Sequence, residues 1–295
     1  MVIGIDLGSN TIRAALMSDD YMILKSIEFI VGSARGLKEG KKLNALAKER
    51  ICKALETIKN EFEFNNFAHV GVATEAFRMA SDSAEFFSQI KTKFCINFKI
   101  IDGKSEAKFI ELAVKTRLEK LRFSTMDLLI IDLGGASTEV AFNGHYESFK
   151  FGIVRFHNEF LTYENMQNHA DEVVKDAKEF IINSNSKNIV LTSGVPTTMV
   201  ALNLGLDYAS YNPNLVNGQK IKFSDFDKTA KEILALDDEE ASKKVGENRA
   251  VYIVGATFLL KSLLKDFKER EFVVVDDGLR EGIMIDYINK TKERK

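Results

Sequence analysis

The stretch "LLIIDLGGASTEV", residues 128–140, decides the fold. An apolar run ends in an acid, passes through a turn of glycines and small residues, and returns to β-forming residues. A shorter version, "VIGIDLGSNTIRA", spans residues 2–14, with Asp6 standing 126 positions before Asp132. One chain thus carries the same acidic, glycine-turned hairpin twice, and the repeat divides it into two similar halves.

Turns such as Gly8-Ser9-Asn10 and Gly134-Gly135-Ala136-Ser137 have little side-chain bulk. Their backbone N–H groups can approach an anion closely and form a nest around phosphate oxygens. Ser9, Asn10, Ser137 and Thr138 add side-chain donors. Asp6 and Asp132 then sit beside the phosphates, where an acid makes sense as a Mg²⁺ or water ligand, because the ion bridges carboxylate to phosphate. A single copy reads equally well as an ordinary turn with an acidic edge. Two copies, each on an apolar strand, favour phosphate.

Working outward, the pattern predicts strands at 2–6, 11–17 and 21–31, then a basic, glycine-containing loop. A helix follows at 44–60 with Asn44 as N-cap, then a strand at 68–74, a helix at 82–93 and a strand at 96–102. Gly103 leads into an amphipathic helix at 105–121. The second cycle predicts strands at 128–133, 138–143 and 145–151, a helix at 162–183, and a strand at 187–194. A helix starts near Pro196, others cover 223–237 and 247–268, and a strand at 271–278 precedes the closing helix. Strands alternating with crossover helices imply an α/β protein. Two domains are expected, 1–122 and 123–295, with the last helix free to pack back on the first.

Composition narrows the function classes. Hydrophobic residues make up 45% and charged residues 28%, as in ordinary globular proteins. Apolar runs are too short to span a bilayer, and the first residues lack the pattern of a secretory signal. Cys52 and Cys95 stand alone, which leads us to expect a reducing, cytoplasmic setting. The four histidines are too scattered to suggest zinc. A net charge of −2 argues against general nucleic-acid binding. Residues 1–122 carry a balance of +4 and the remainder −6, which suits an anionic substrate and a cation, or simply two solvated surfaces. The "GKS" at 103–105 is no Walker A loop, because Phe98 stands where its first glycine belongs.

The doubled hairpin resembles the actin-like ATPase superfamily, in which two related domains face a cleft and each contributes a phosphate hairpin. Within it, the chain resembles the exopolyphosphatase / guanosine pentaphosphate phosphohydrolase (Ppx/GppA) family over nearly its whole length. The motifs are "DLGSNTIR", "GVATEAFRMA" (71–80), "IIDGKSEAKFI" (100–110), "IIDLGGASTEV", "FGIVRFHNEF" (151–160) and "DDGLREGIM" (276–284), in the family's order. Departures are Ser105 and Lys108 in the third motif, Ala136 for a glycine in the fourth, and a loose match at "TSGVPTT" (192–198).

The resemblance implies a Mg²⁺-dependent hydrolase that removes terminal phosphate from inorganic polyphosphate or guanosine pentaphosphate. It implies Glu106 as the residue that orients or deprotonates water, and Asp132 and Glu139 as Mg²⁺ ligands, with Asp6 a third candidate. It marks Arg78 as a phosphate ligand beside Gly8, Ser9, Asn10, Gly134, Gly135, Ala136, Ser137 and Thr138. Arg13, Arg155 and Arg280 are weaker candidates for holding a polyanion or a hinge. Gly194, with Thr197 and Thr198 at a helix start, could take a further phosphate, or be a plain strand-to-helix loop. The chain resembles the family's short form, and a homodimer is expected because family members commonly dimerise. The rivals are an acceptor-using kinase of the same superfamily and a non-catalytic alarmone or polyphosphate sensor. Phosphate release without an acceptor separates them.

Overall fold

The computed structural model describes residues 1–294. In chain order the elements begin with strands β1 (Val2–Leu7), β2 (Thr11–Met17) and β3 (Ile23–Ile30), then α1 (Ala45–Glu61), β4 (Ala68–Ala73), α2 (Glu75–Met79), α3 (Ser83–Phe94), β5 (Phe98–Ile100) and α4 (Gly103–Lys120). There follow β6 (Leu128–Leu133), β7 (Thr138–Phe142), β8 (His145–Phe149), α5 (Ile153–Phe160), α6 (Tyr163–Val173), α7 (Lys175–Asn183), β9 (Asn188–Thr192) and α8 (Gly194–Asn203). The chain finishes with α9 (Pro213–Val216), β10 (Lys220–Lys222), α10 (Phe223–Leu234), α11 (Asp238–Val245), α12 (Ala250–Leu263), a 3-10 turn, β11 (Glu271–Val274) and α13 (Leu279–Glu293).

Two compact units result, Met1–Ala113 with Leu279–Lys295, and Val114–Gly278. This partition differs from 1–122 and 123–295. The chain leaves the first unit inside α4, a continuous helix, and α13 returns to that unit. No loop marks the first crossing, so nothing in composition could signal it.

The first unit holds a five-stranded sheet in the order β3-β2-β1-β4-β5. β1 pairs antiparallel with β2 and parallel with β4, so every residue of β1 is buried. That explains its unbroken apolar run around Asp6. α13 covers the sheet: Met284, Ile285 and Ile288 pack with Val2, Ala15 and Met17.

The second unit has a six-stranded sheet in the order β10-β11-β9-β6-β7-β8. Read from β8 inward, β8-β7-β6-β9-β11 repeats the first sheet's order and directions, two antiparallel pairings followed by two parallel ones. β10 is an addition on the far edge, antiparallel to β11. The duplication expected from the hairpins therefore extends through both sheets.

The predicted helix at 162–183 is two helices, broken at Val174. Met166, Ala170, Val174, Ala177 and Ile181 are all buried, so the apolar period runs through the break and hides it. α11 breaks the predicted loop after 237. Its capping box, Asp237 with Glu240, was present in the sequence. Other elements were unforeseen: α2, α5, α9 and β10, the last held by pairing with β11 rather than by its own pattern.

Candidate active site

The hairpin of the second unit is built by β6 and β7. Its register sets Asp132 directly opposite Glu139 and Leu133 opposite Thr138. Gly134 N–H closes the turn on Ser137 O at 3.0 Å. The turn's carbonyls are taken by the start of α5: Ile153 N–H donates to Gly134 O at 3.0 Å, and Val154 and Arg155 N–H donate to Gly135 O at 2.7 and 3.1 Å. In a trans peptide the N–H points opposite to the preceding C=O. With both carbonyls turned to α5, the N–H groups of Gly135 and Ala136 point the other way, as an anion nest requires. Thr138 Oγ1 donates to Phe151 O at 2.8 Å, so its hydroxyl braces the turn from within.

Gly152 makes this arrangement possible. A Cβ there would lie 2.6 Å from Ala136 N, Gly134 O and Gly135 C. No side chain fits between the turn and α5.

Glu139 is 2% exposed, and Ser148 Oγ donates to its Oε1 at 2.7 Å. Among the described residues no group of three or more His, Cys, Asp or Glu could hold a metal ion. Of the described side chains, Asp132 and Glu139 would thus offer a cation two carboxylates and no third acidic, histidine or cysteine ligand.

The first unit's hairpin shares the frame. Gly8 N–H closes on Thr11 O at 2.9 Å. Val31 and Gly32 N–H donate to Asn10 O, and Ala34 N–H donates to Ser9 O. The basic loop thus does for this turn what α5 does for the other. The residue opposite the acid differs, however. Asp6 faces Arg13, whose Nη2 and Nε donate to Asp6 Oδ2 at 2.7 and 3.2 Å. Burial works to lower the Arg13 pKa, but Asp6, Glu281 and Glu28 outweigh it and hold the guanidinium firmly protonated. Of the three carboxylates expected to hold metal, Asp6 is already neutralised.

Glu106 lies in the first turn of α4 and is 8% exposed. Asp102 fixes that turn: Ser105 N–H donates to its Oδ1 at 2.8 Å and Ser105 Oγ to its Oδ2 at 2.9 Å. These two bonds hold the Asp102 carboxyl below its usual range. Ser105, a departure from the family motif, thereby acts as a brace. Arg78, in the last turn of α2, reaches Glu106: Nη1 to Oε2 is 3.2 Å. Its Nε donates to Glu75 Oε2 at 2.6 Å, and its Nη1 also donates to Ile101 O. Burial opposes the Arg78 charge, yet Glu106 and Glu75 raise its pKa above the ordinary value. Its Nη2 is buried with no hydrogen-bond partner. Arg78 is therefore a partner of Glu106 with one donor left over, which a phosphate oxygen would satisfy.

The remaining candidates divide. Arg280 is buried, its Nε on Glu281 Oε1 at 2.7 Å and its Nη1 on Ser26 Oγ, which makes it a strut under the first sheet. Arg155 Nη1 donates to Lys150 O. Thr197 and Thr198 donate their hydroxyls to Ser193 O and Gly194 O one turn back, so neither hydroxyl proton is left for an anion. Sequence reasoning missed Glu75 and passed over Gly152, although the latter stood second in a quoted motif.

Duplicated five-strand layers, each with an acidic glycine hairpin, define an α/β protein of the actin-like ATPase fold with two domains. The crystal structure of the Aquifex aeolicus member of the Ppx/GppA protein family superposes with a TM-score of 0.77 at 25% identity, over 98% of each chain. The model of the Ppx/GppA phosphatase family matches residues 14–291, and the chain belongs to that family. A Haemophilus influenzae protein provisionally named exopolyphosphatase is 34% identical over 173 residues, 55% of this chain and 51% of that protein. A guanosine-5'-triphosphate,3'-diphosphate pyrophosphatase of Aeromonas hydrophila is 30% identical over 150 residues, 49% of this chain and 29% of that protein. The matched stretches thus cover about half of the first relative's length and less than a third of the second's.

Proposed function

We propose that this chain is a Mg²⁺-dependent phosphohydrolase that releases terminal phosphate from inorganic polyphosphate, guanosine pentaphosphate or both. The names of its relatives support the substrate class. The observation that carries the chemistry is the Arg78–Glu106 pair, a buried carboxylate held 3.2 Å from a guanidinium that keeps a donor for substrate.

In this reading the turn N–H groups bind phosphate oxygens and Arg78 Nη2 donates to the terminal phosphoryl group. Glu106 accepts a proton as water attacks that phosphorus. A P–O bond forms to the water oxygen, the bridging P–O bond breaks, and the shortened chain leaves with the bridging oxygen's electron pair. Little covalent chemistry is asked of the protein, so positioning and charge account for the rate. Asp132 and Glu139 would hold Mg²⁺, which when bound would supply positive charge to offset that on the leaving phosphates. Among the described residues no helix is long and apolar enough to cross a membrane.

The test is phosphate release from polyphosphate and from guanosine pentaphosphate, with Mg²⁺ and no acceptor. Release from either supports the reading. No release from both overturns it.

A further inference from the structure

Glu75 lies inside the "ATEAFR" stretch, and nothing in the reaction above uses it. It is nevertheless 7% exposed, at the first position of α2, a setting where an acid is rarely buried without purpose. Its Oε2 accepts from Arg78 Nε at 2.6 Å, three residues on. That contact fixes the plane of the guanidinium. With Nε on Glu75 and Nη1 shared by Ile101 O and Glu106 Oε2, only Nη2 is left without a partner.

We propose that Glu75 is a positioning residue for this reaction, one that turns the Arg78 fork so that Nη2 meets the substrate phosphoryl group while Nη1 holds Glu106. A guanidinium is a rigid planar fork, so fixing Nε and Nη1 determines where Nη2 points. An arginine tied only to Glu106 could swing about that contact and share its donors differently. The second carboxylate removes that freedom before substrate arrives, so less orientation is lost on binding.

The proposal rests on the phosphohydrolase reading, but its test need not. A methylene-bridged triphosphate, which resists hydrolysis, serves as the binding probe, followed by calorimetry. Glu75→Ala should weaken its binding roughly 10-fold, the scale of one misdirected charge-assisted hydrogen bond. Glu75→Gln, which keeps an acceptor oxygen at the same reach, should restore affinity to within about threefold. In an Arg78→Ala background, Glu75→Ala should add nothing, because Glu75 acts through Arg78. Turnover should follow: kcat falls in Glu75→Ala as well as affinity, since Glu106 loses its fixed partner. Thermal melts show which variants fold. If Glu75→Ala does not, Glu75→Asp, which retracts the acceptor by one methylene, should show the same weakening. Unchanged probe binding in the folded variant overturns the proposal, and so does an equal loss with Arg78 absent. If the unaltered chain releases no phosphate, the hydrolase reading falls while the binding series still decides the role of Glu75.

Discussion

Gly152→Ala is the sharpest probe of how the second hairpin is built. The backbone there is extended, so alanine meets no conformational penalty. If there were room, the change would stabilise by about 0.4–1 kcal/mol through the unfolded chain. The structure says there is no room. The added Cβ would lie 2.6 Å from three atoms of the turn, where ordinary contact begins near 3.4 Å. All three are backbone atoms, so no side chain can rotate aside, and the turn or α5 must move by about 0.8 Å. Overpacking of this kind costs roughly 1–3 kcal/mol, and each kcal/mol lowers Tm by about 2–4 °C in a unit of this size. The displaced atoms belong to Gly134, Gly135 and Ala136, and the N–H groups of the last two form the phosphate nest in our reading. A shift approaching 1 Å there can lower kcat/KM by up to about 10²-fold. Circular-dichroism melts and phosphate-release kinetics read both effects. A variant with an equal or higher Tm and an unchanged KM would refute the reasoning, because it would mean that α5 does not press on the turn.

Glu106→Gln keeps the shape and removes the proton acceptor, so turnover should fall by roughly 10²–10⁴-fold while substrate binding persists. A variant with normal turnover would remove Glu106 from the chemistry. Asp132→Ala and Glu139→Ala should each raise the Mg²⁺ concentration needed for half-maximal activity, and unchanged Mg²⁺ titrations in both would refute that assignment. Asp82 is buried; burial alone would raise its pKa, but bonds from Lys48 Nζ and Leu43 N–H outweigh that and lower it. A carboxyl whose folded pKa is depressed stabilises the fold above its unfolded pKa, about 4, and this is lost as pH falls through the folded value. Asp82→Asn should therefore lower stability at pH 7 and make progressively less difference as pH falls from about 4 toward about 2. Urea melts at pH 7 and about pH 2 check this, and an equal loss at both would show that charge is not the cause.

The sequence disclosed those features that depend on near neighbours. Asn44 caps α1, its side chain accepting from Leu46 N–H, as its place before an amphipathic run implied. Glu106 falls in a first helical turn, and both hairpins close as their glycines suggested. What stayed hidden depends on contacts between distant residues. Arg78 and Glu106 are 28 positions apart and meet because β4 and β5 are parallel neighbours that deliver α2 and α4 to the same edge. Gly152 looks like any glycine after a strand until α5 is seen against Gly134 and Gly135. The crossing at Ala113 lies in mid-helix, where periodicity is unbroken by design of the helix itself.

The clearest consequence of the three-dimensional arrangement is the divergence of two hairpins built on one frame. Each turn closes with a glycine N–H on the residue three positions on, at 2.9 and 3.0 Å, and each hands its carbonyls to the segment that braces it. The backbone therefore offers N–H groups in both copies, which suits the same anionic ligand. The seventh residue after the acid, one position in two otherwise matching strands, is Arg13 in one copy and Glu139 in the other. The first pair is internally neutral and anchored by Glu281 and Glu28. The second places two carboxylates opposite one another on the ladder, with Glu139 almost wholly buried. A phosphate chain carries both needs, donors for its oxygens and a cation for its charge. In the reading proposed above, both hairpins would serve the first need, and glutamate in place of arginine at that one position would assign the second to one copy.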